Sequence, residues 1–69
     1  MSKGTELSAR LRQNYLTNGW LVHQLEKRGI STQPQEISNT FHGLRRGEKV
    51  DRILATTEAI LADYEREWA

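Results

Sequence analysis

The chain of 69 residues carries ten Lys/Arg against nine Asp/Glu, a net charge of +1, with no cysteine and a mean hydropathy of −0.73. That length holds a single domain, 1–69, and a domain of this size buries only about 60% of its unfolded surface. Without cysteine there is no disulfide staple and no thiolate metal site, and no run approaches the roughly 20 apolar residues that a membrane-spanning helix requires.

One proline, five glycines and no alternating apolar pattern make this a chain of helices with short joints, an all-α fold. A first helix is expected over Glu6–Leu16, capped by Thr5, with Leu7, Leu11 and Tyr15 on one face. A second is expected over Asn18–Arg28. Thr17 is its N-cap, Leu21, Val22 and Leu25 its buried stripe, and Gly29 its left-handed stop, after which Ile30 returns to the core. A third helix starts at Pro34, a residue favoured at the first helical position. That makes Gln33 its cap by position, while Thr32 and Gln35 have the spacing of a capping box. It runs through His42, with Ile37 and Phe41 facing inward, and Leu44 is expected to tuck beneath it after Gly43. The fourth helix, 48–68, carries Val50, Ile53, Leu54, Thr57, Ile60, Leu61, Tyr64 and Trp68 at near-heptad spacing. It is longer than the other three require, so Tyr64 and Trp68 at its far end are candidates for a homodimer seam.

Charge is unevenly spread. Residues 1–52 hold nine Lys/Arg against five acids, net +4, and residues 53–69 hold one arginine against four acids, net −3. A basic body with an acidic tail suits a one-sided nucleic-acid surface. The second and third helices, with the joint between them, form a helix-turn-helix over 17–43 whose second member, 34–42, would enter the major groove of double-stranded DNA. The outer face of that helix offers Gln35, Glu36, Asn39, Thr40 and His42 for base edges. Gln and Asn pair bidentately with adenine, Glu accepts from cytosine, and Thr bonds a base or touches a thymine methyl. Directly after it, Gly43-Leu44-Arg45-Arg46-Gly47-Glu48-Lys49 places Arg45, Arg46 and Lys49 for phosphates, with glycines permitting close approach. Asn18, opening the second helix, and Gln33 and Ser38 complete the phosphate set.

The ordered pieces Thr17-Asn18-Gly19-Trp20-Leu21-Val22, Leu25, Lys27-Arg28-Gly29-Ile30, Glu36-Ile37-Ser38-Asn39 and Gly43-Leu44-Arg45-Arg46-Gly47, then Lys49, resemble small phage and prophage helix-turn-helix regulators of the Cro and lambda-repressor-like group. The likeness covers residues 5–62. It implies a compact bundle of four or five helices that represses or tunes transcription as a homodimer on operator DNA, in a bacterial host cytoplasm. It also implies a phosphate contact for Asn18, an adenine reader in Gln35, a small polar pair in Ser38 and Asn39, and a basic exit in Arg45 and Arg46. Two departures are visible. Asn18 is shorter than the glutamine many relatives carry, and the Gly29–Gly43 segment is longer than the commonest form.

Catalysis has little footing. His23 and His42 lie on different helices, and no acid pair, nucleophile elbow or phosphate-binding glycine loop occurs. No cofactor, metal, small-molecule substrate or membrane is therefore expected. Trp20 and Phe41 belong to the core rather than to a stacking platform. The competing reading is a protein-interaction module on the same scaffold, such as an antirepressor, which the long apolar seam of the fourth helix would serve.

Overall fold

The computed structural model describes residues 3–68, the side chain of Trp68 excepted, and these form four helices: α1 Lys3–Gln13, α2 Asn18–Lys27, α3 Pro34–Phe41 and α4 Glu48–Trp68. No strand occurs among the described residues, and no helix is long and apolar enough to cross a membrane. The all-α, four-helix expectation holds, with α4 over the expected range.

Both α1 and α2 pack against α3 and α4. Their apolar stripes, Leu7 and Leu11 from α1 and Leu21 and Leu25 from α2, meet Ile37 and Phe41 of α3 and Ile53, Ile60 and Leu61 of α4. Ile30 drops into the same core from the turn after α2. The 21 residues of α4 span about 31 Å at 1.5 Å per residue, which matches the longest molecular dimension of 32 Å. Within its stripe Thr57 is fully buried and its hydroxyl has no partner; a buried polar group left so costs about 1–3 kcal/mol.

Three helices end in the same way. In α2, Gly29 N–H reaches Glu26 O (3.0 Å) and Ile30 N–H reaches Leu25 O (3.0 Å), with Gly29 at φ +82°. In α3, Gly43 N–H reaches Thr40 O (3.2 Å) and Leu44 N–H reaches Asn39 O (2.9 Å), with Gly43 at φ +73°. In α1, Tyr15 N–H reaches Arg12 O (3.0 Å) and Leu16 N–H reaches Leu11 O (2.9 Å), with Tyr15 itself at φ +59°. These are Schellman reversals, which satisfy the last carbonyls of a helix and turn the chain back.

The reversals correct several expectations. Tyr15 does not share the face of Leu7 and Leu11; it is 95% exposed, because the left-handed residue points away and Leu16 returns to the core instead. Leu44 does not tuck under α3 but stays 73% exposed. The residue after such a turn gains burial by touching the residue third from the helix end. That residue is Leu11 for α1 and Leu25 for α2, but the polar Asn39 for α3. The third helix also stops at Phe41, with His42 as its cap.

At the other end of α1, Thr5 is no cap, because the helix already runs from Lys3. Gly4 explains why. A Cβ placed there would lie 2.8 Å from Phe41 O and 3.0 Å from Phe41 Cα, so the first turn of α1 rests directly on the backbone at the end of α3. Packing overrides the local capping signal.

Polar pairs tie the other ends. Arg10 grips Glu65 through two hydrogen bonds, Nη2 to Oε1 at 2.6 Å and Nε to Oε2 at 3.3 Å. Asn14 Nδ2 donates to Glu65 Oε2 at 3.0 Å and to Arg10 O at 2.9 Å. Lys3 at the start of α1 pairs with Glu58 of α4. Trp20 of α2 meets Tyr64 edge to face, with centroids 5.6 Å apart and planes at 76°. Tyr64, expected at a dimer seam, thus packs within its own chain, and the side chain of Trp68 lies outside the described residues.

Two substitutions test this account by equilibrium unfolding. Gly4→Ala should destabilise by about 1–3 kcal/mol, the cost of overpacking, although glycine to alanine in an open helix would stabilise. Tyr15→Gly should stabilise by up to about 1 kcal/mol, since it relieves a left-handed L-residue whose ring buries almost nothing.

Candidate nucleic-acid interface

The stretch from α2 to α3 carries the surface of interest. Thr17 caps α2 as expected, its Oγ1 accepting from Trp20 N–H at 3.0 Å. Between the helices, residues 28–33 form the turn, and Arg28 donates back to Gln24 O at 3.3 Å. Gln33 is the N-cap of α3 by backbone position, exposed and without a side-chain capping bond. Pro34 follows at the first helical position.

The capping box expected from Thr32 and Gln35 does not form. Thr32 is buried, and its hydroxyl donates to Glu36 Oε1 instead. Thr32 precedes the N-cap and lies outside α3, and its side chain meets Glu36 in the first turn of the helix. The Glu36 carboxylate then receives Lys49 Nζ at 3.2 Å on Oε1 and Arg45 Nη1 at 3.3 Å on Oε2. Glu36 is thus a hub joining the turn, α3, the exit segment and α4. Its side chain is 19% exposed, against 54% for Arg45 and 52% for Lys49. The hydrogen bond from Thr32 first, then Lys49 and Arg45, hold its carboxyl below the usual carboxylate range.

Thr40 is not on the outer face. It is buried, and its hydroxyl donates to Glu36 O at 2.8 Å, a bond back to its own helix. One turn from Ile37 and beside Phe41, it shares the inward side of α3. What remains outward is a ridge of exposed Gln35 and His42 with half-buried Asn39 between them, and Ser38, also half-buried, beside it. Gln35 Nε2 donates to Asn39 Oδ1 at 3.2 Å. His42 Nδ1 lies 2.7 Å from Ser38 O. A carbonyl only accepts, so Nδ1 carries a proton, and in the neutral tautomer this leaves Nε2 as an acceptor.

Gln33, Gln35, Glu36, Asn39, Arg45 and Lys49 line one open polar cleft, together with Glu26, Ser31 and Thr32. Arg46 is exposed, has no ion-pair partner among the described residues, and lines a second hollow with Lys3, Gly4, Gly43 and Gly47. Asn18 opens α2 and lines neither. Of the expected phosphate set, then, Arg45 and Lys49 are engaged by Glu36, while Arg46 and Gln33 are uncommitted. The capping spacing of Thr32 to Gln35 hides its bond to Glu36, because Thr32 lies outside the helix and helical spacing does not apply to it. Ser31 and Glu26 carry no signal of their own in the sequence.

Among the described residues no group of His, Cys, Asp or Glu has the arrangement of a metal site. No family model, no curated protein and no solved structure matches this chain.

Glu65, gripped by Arg10 and then Asn14, is likewise held below the ordinary carboxylate range. A carboxylate lowered in the folded state contributes stability that is present above its unfolded pKa, about 4.3 for glutamate, and lost as pH falls through the lower folded value. In a carboxyl-carbon NMR titration Glu36 and Glu65 should both show midpoints below that reference. Thr32→Val should raise the Glu36 midpoint and leave that of Glu65 unmoved; an unmoved Glu36 would remove Thr32 as the principal cause.

Proposed function

We infer that this domain binds double-stranded DNA in a sequence-specific way as a small transcriptional regulator, with α3 as the helix that enters the major groove. The observation that carries the reading is the outward ridge of α3, where Gln35 and Asn39 stand one turn apart and are already hydrogen-bonded to each other. Gln35 thereby keeps its carbonyl oxygen to accept and Asn39 keeps amide hydrogens to donate. That combination matches the N6 donor and N7 acceptor of adenine. His42 Nε2 adds an acceptor one turn further on. Arg46 and Gln33 supply contacts to phosphate, and Arg45 and Lys49 can join them from the cleft.

The ridge itself carries no carboxylate, because Glu36 is drawn aside and its charge is balanced by two cations. A helix facing phosphates benefits from that arrangement. Binding as a homodimer, on a site with two-fold symmetry, belongs to the same reading, as does a role as a repressor. A protein-interaction module is favoured by two exposed apolar side chains, Tyr15 and the Leu44 that leads into the basic segment.

Selection of binding sites from random duplex DNA tests the function. Enrichment of a consensus containing adenine, with palindromic half-sites, is the expected result; no enrichment, with no salt-dependent affinity for any duplex, would favour the protein-interaction reading. On the selected site, Gln35→Ala or Asn39→Ala should cost about 1–3 kcal/mol and change little on random DNA. Arg46→Ala should weaken binding to both alike, as a phosphate contact does. Thr40→Val should leave base preference unchanged.

A further inference from the structure

The two cations nearest the ridge are not free. Arg45 and Lys49 each spend one N–H on Glu36, out of five and three respectively. The three partners are unequal. Glu36 is the fixed one, mostly covered and held from beneath by the buried Thr32 hydroxyl, whereas both cations are more than half exposed. Arg45 sits in a segment bounded by Gly43 and Gly47, both at positive φ. Lys49 lies in the first turn of α4, where the helix dipole disfavours a cation and a neighbouring carboxylate compensates. The cluster therefore presents two exposed positive charges on a mostly covered negative one.

We propose that Glu36 is a built-in competitor for DNA phosphate: it holds Arg45 and Lys49 in the free protein and so limits how tightly the domain grips DNA of any sequence. This role presupposes the DNA-binding function above. A phosphate approaching the cluster of Glu36, Arg45 and Lys49 meets a net charge of one rather than two, and must draw the cations partly away from the carboxylate. Glu36 is then a specificity determinant that touches no base. It suppresses the sequence-independent part of binding and leaves the Gln35–Asn39 ridge to discriminate.

The magnitude follows from counterion release. Affinity for duplex DNA scales with salt to the power of about −0.9 for each phosphate neutralised. One additional neutralised phosphate thus raises affinity about 8-fold at roughly 0.1 M salt.

The test compares Glu36→Gln with Glu26→Gln on random-sequence duplex across a salt series. Glu26 lines the same cleft and makes no ion pair, and its substitution changes net charge equally. Expected are a tightening of about 8-fold for Glu36→Gln near 0.1 M salt, a slope steeper by about 0.9, and a much smaller gain for Glu26→Gln. Equal gains, or weaker binding by a folded Glu36→Gln protein, would overturn the proposal. Elution from immobilised heparin, a polyanion without bases, separates this role from the function it presupposes. If wild type binds no DNA even at low salt while Glu36→Gln elutes from heparin at higher salt than Glu26→Gln, the masking stands and the DNA reading falls; equal elution removes the masking. Should Glu36→Gln lose its helical circular-dichroism signal, Glu36→Asp replaces it. Aspartate keeps the charge but shortens the reach, so a gain in heparin retention over wild type supports the mask and no gain overturns it.

Discussion

At Gly4 the first turn of α1 lies against the backbone of Phe41 with no room for a side chain between them, and the position of α3 depends on that contact. A side chain at residue 4 would sit within 2.8 Å of a carbonyl oxygen. Because none is there, the last turn of α3 seats on the first turn of α1, and α1 is in turn tied to α4 by Arg10 and Glu65. The third helix is therefore held by backbone contact at its far end and by Ile37 in the core along its length. Its outward ridge inherits that rigidity, as the proposed reading of DNA requires.

The same turn chemistry recurs at the ends of α1, α2 and α3, and its consequences differ with the side chain three places earlier. Leucine there recruits Leu16 and Ile30 into the core. Asparagine leaves Leu44 outside, with Arg45 and Arg46 following it into solvent. A polar residue chosen for the outward face of α3 thus also determines that the chain leaving it stays at the surface, where the basic residues are. One position, Asn39, serves the ridge and the exit together.

Much of the fold is legible in the sequence because its signals are local and agree with packing. Thr17 and Gly29 bracket α2, Pro34 opens α3, and the stripe of α4 has a period that nothing contradicts. The misreadings have a common origin in tertiary contact. Thr5 has the chemistry of a cap, but a glycine-mediated contact starts the helix earlier. Tyr15 has the right spacing for the core, but it occupies the reversal that ends the helix. The candidate site was legible at the level of position and less so at the level of orientation. Gln35, Asn39 and His42 face outward, whereas Thr40 faces inward and Glu36 turns to three partners drawn from the turn, the exit segment and α4. Spacing along one helix identifies its faces; it does not reveal which neighbour from elsewhere in the chain will claim a carboxylate.

The clamp of Arg10 and Asn14 on Glu65 joins residues separated by 55 and 51 positions. Most contacts in a small helical domain are local and form quickly, whereas a tie of this span must first close a long loop. During synthesis α1 emerges early, but its polar anchor does not exist until the last turns of α4 have left the ribosome. Until then α1 is held by its apolar stripe, by the seat of Gly4 on Phe41 and by the exposed Lys3–Glu58 pair, against an incomplete α4. The order in which this chain is made therefore places the locking of its first helix near the end of folding, and a nascent chain halted before Glu65 would carry the α3 ridge on a frame not yet closed.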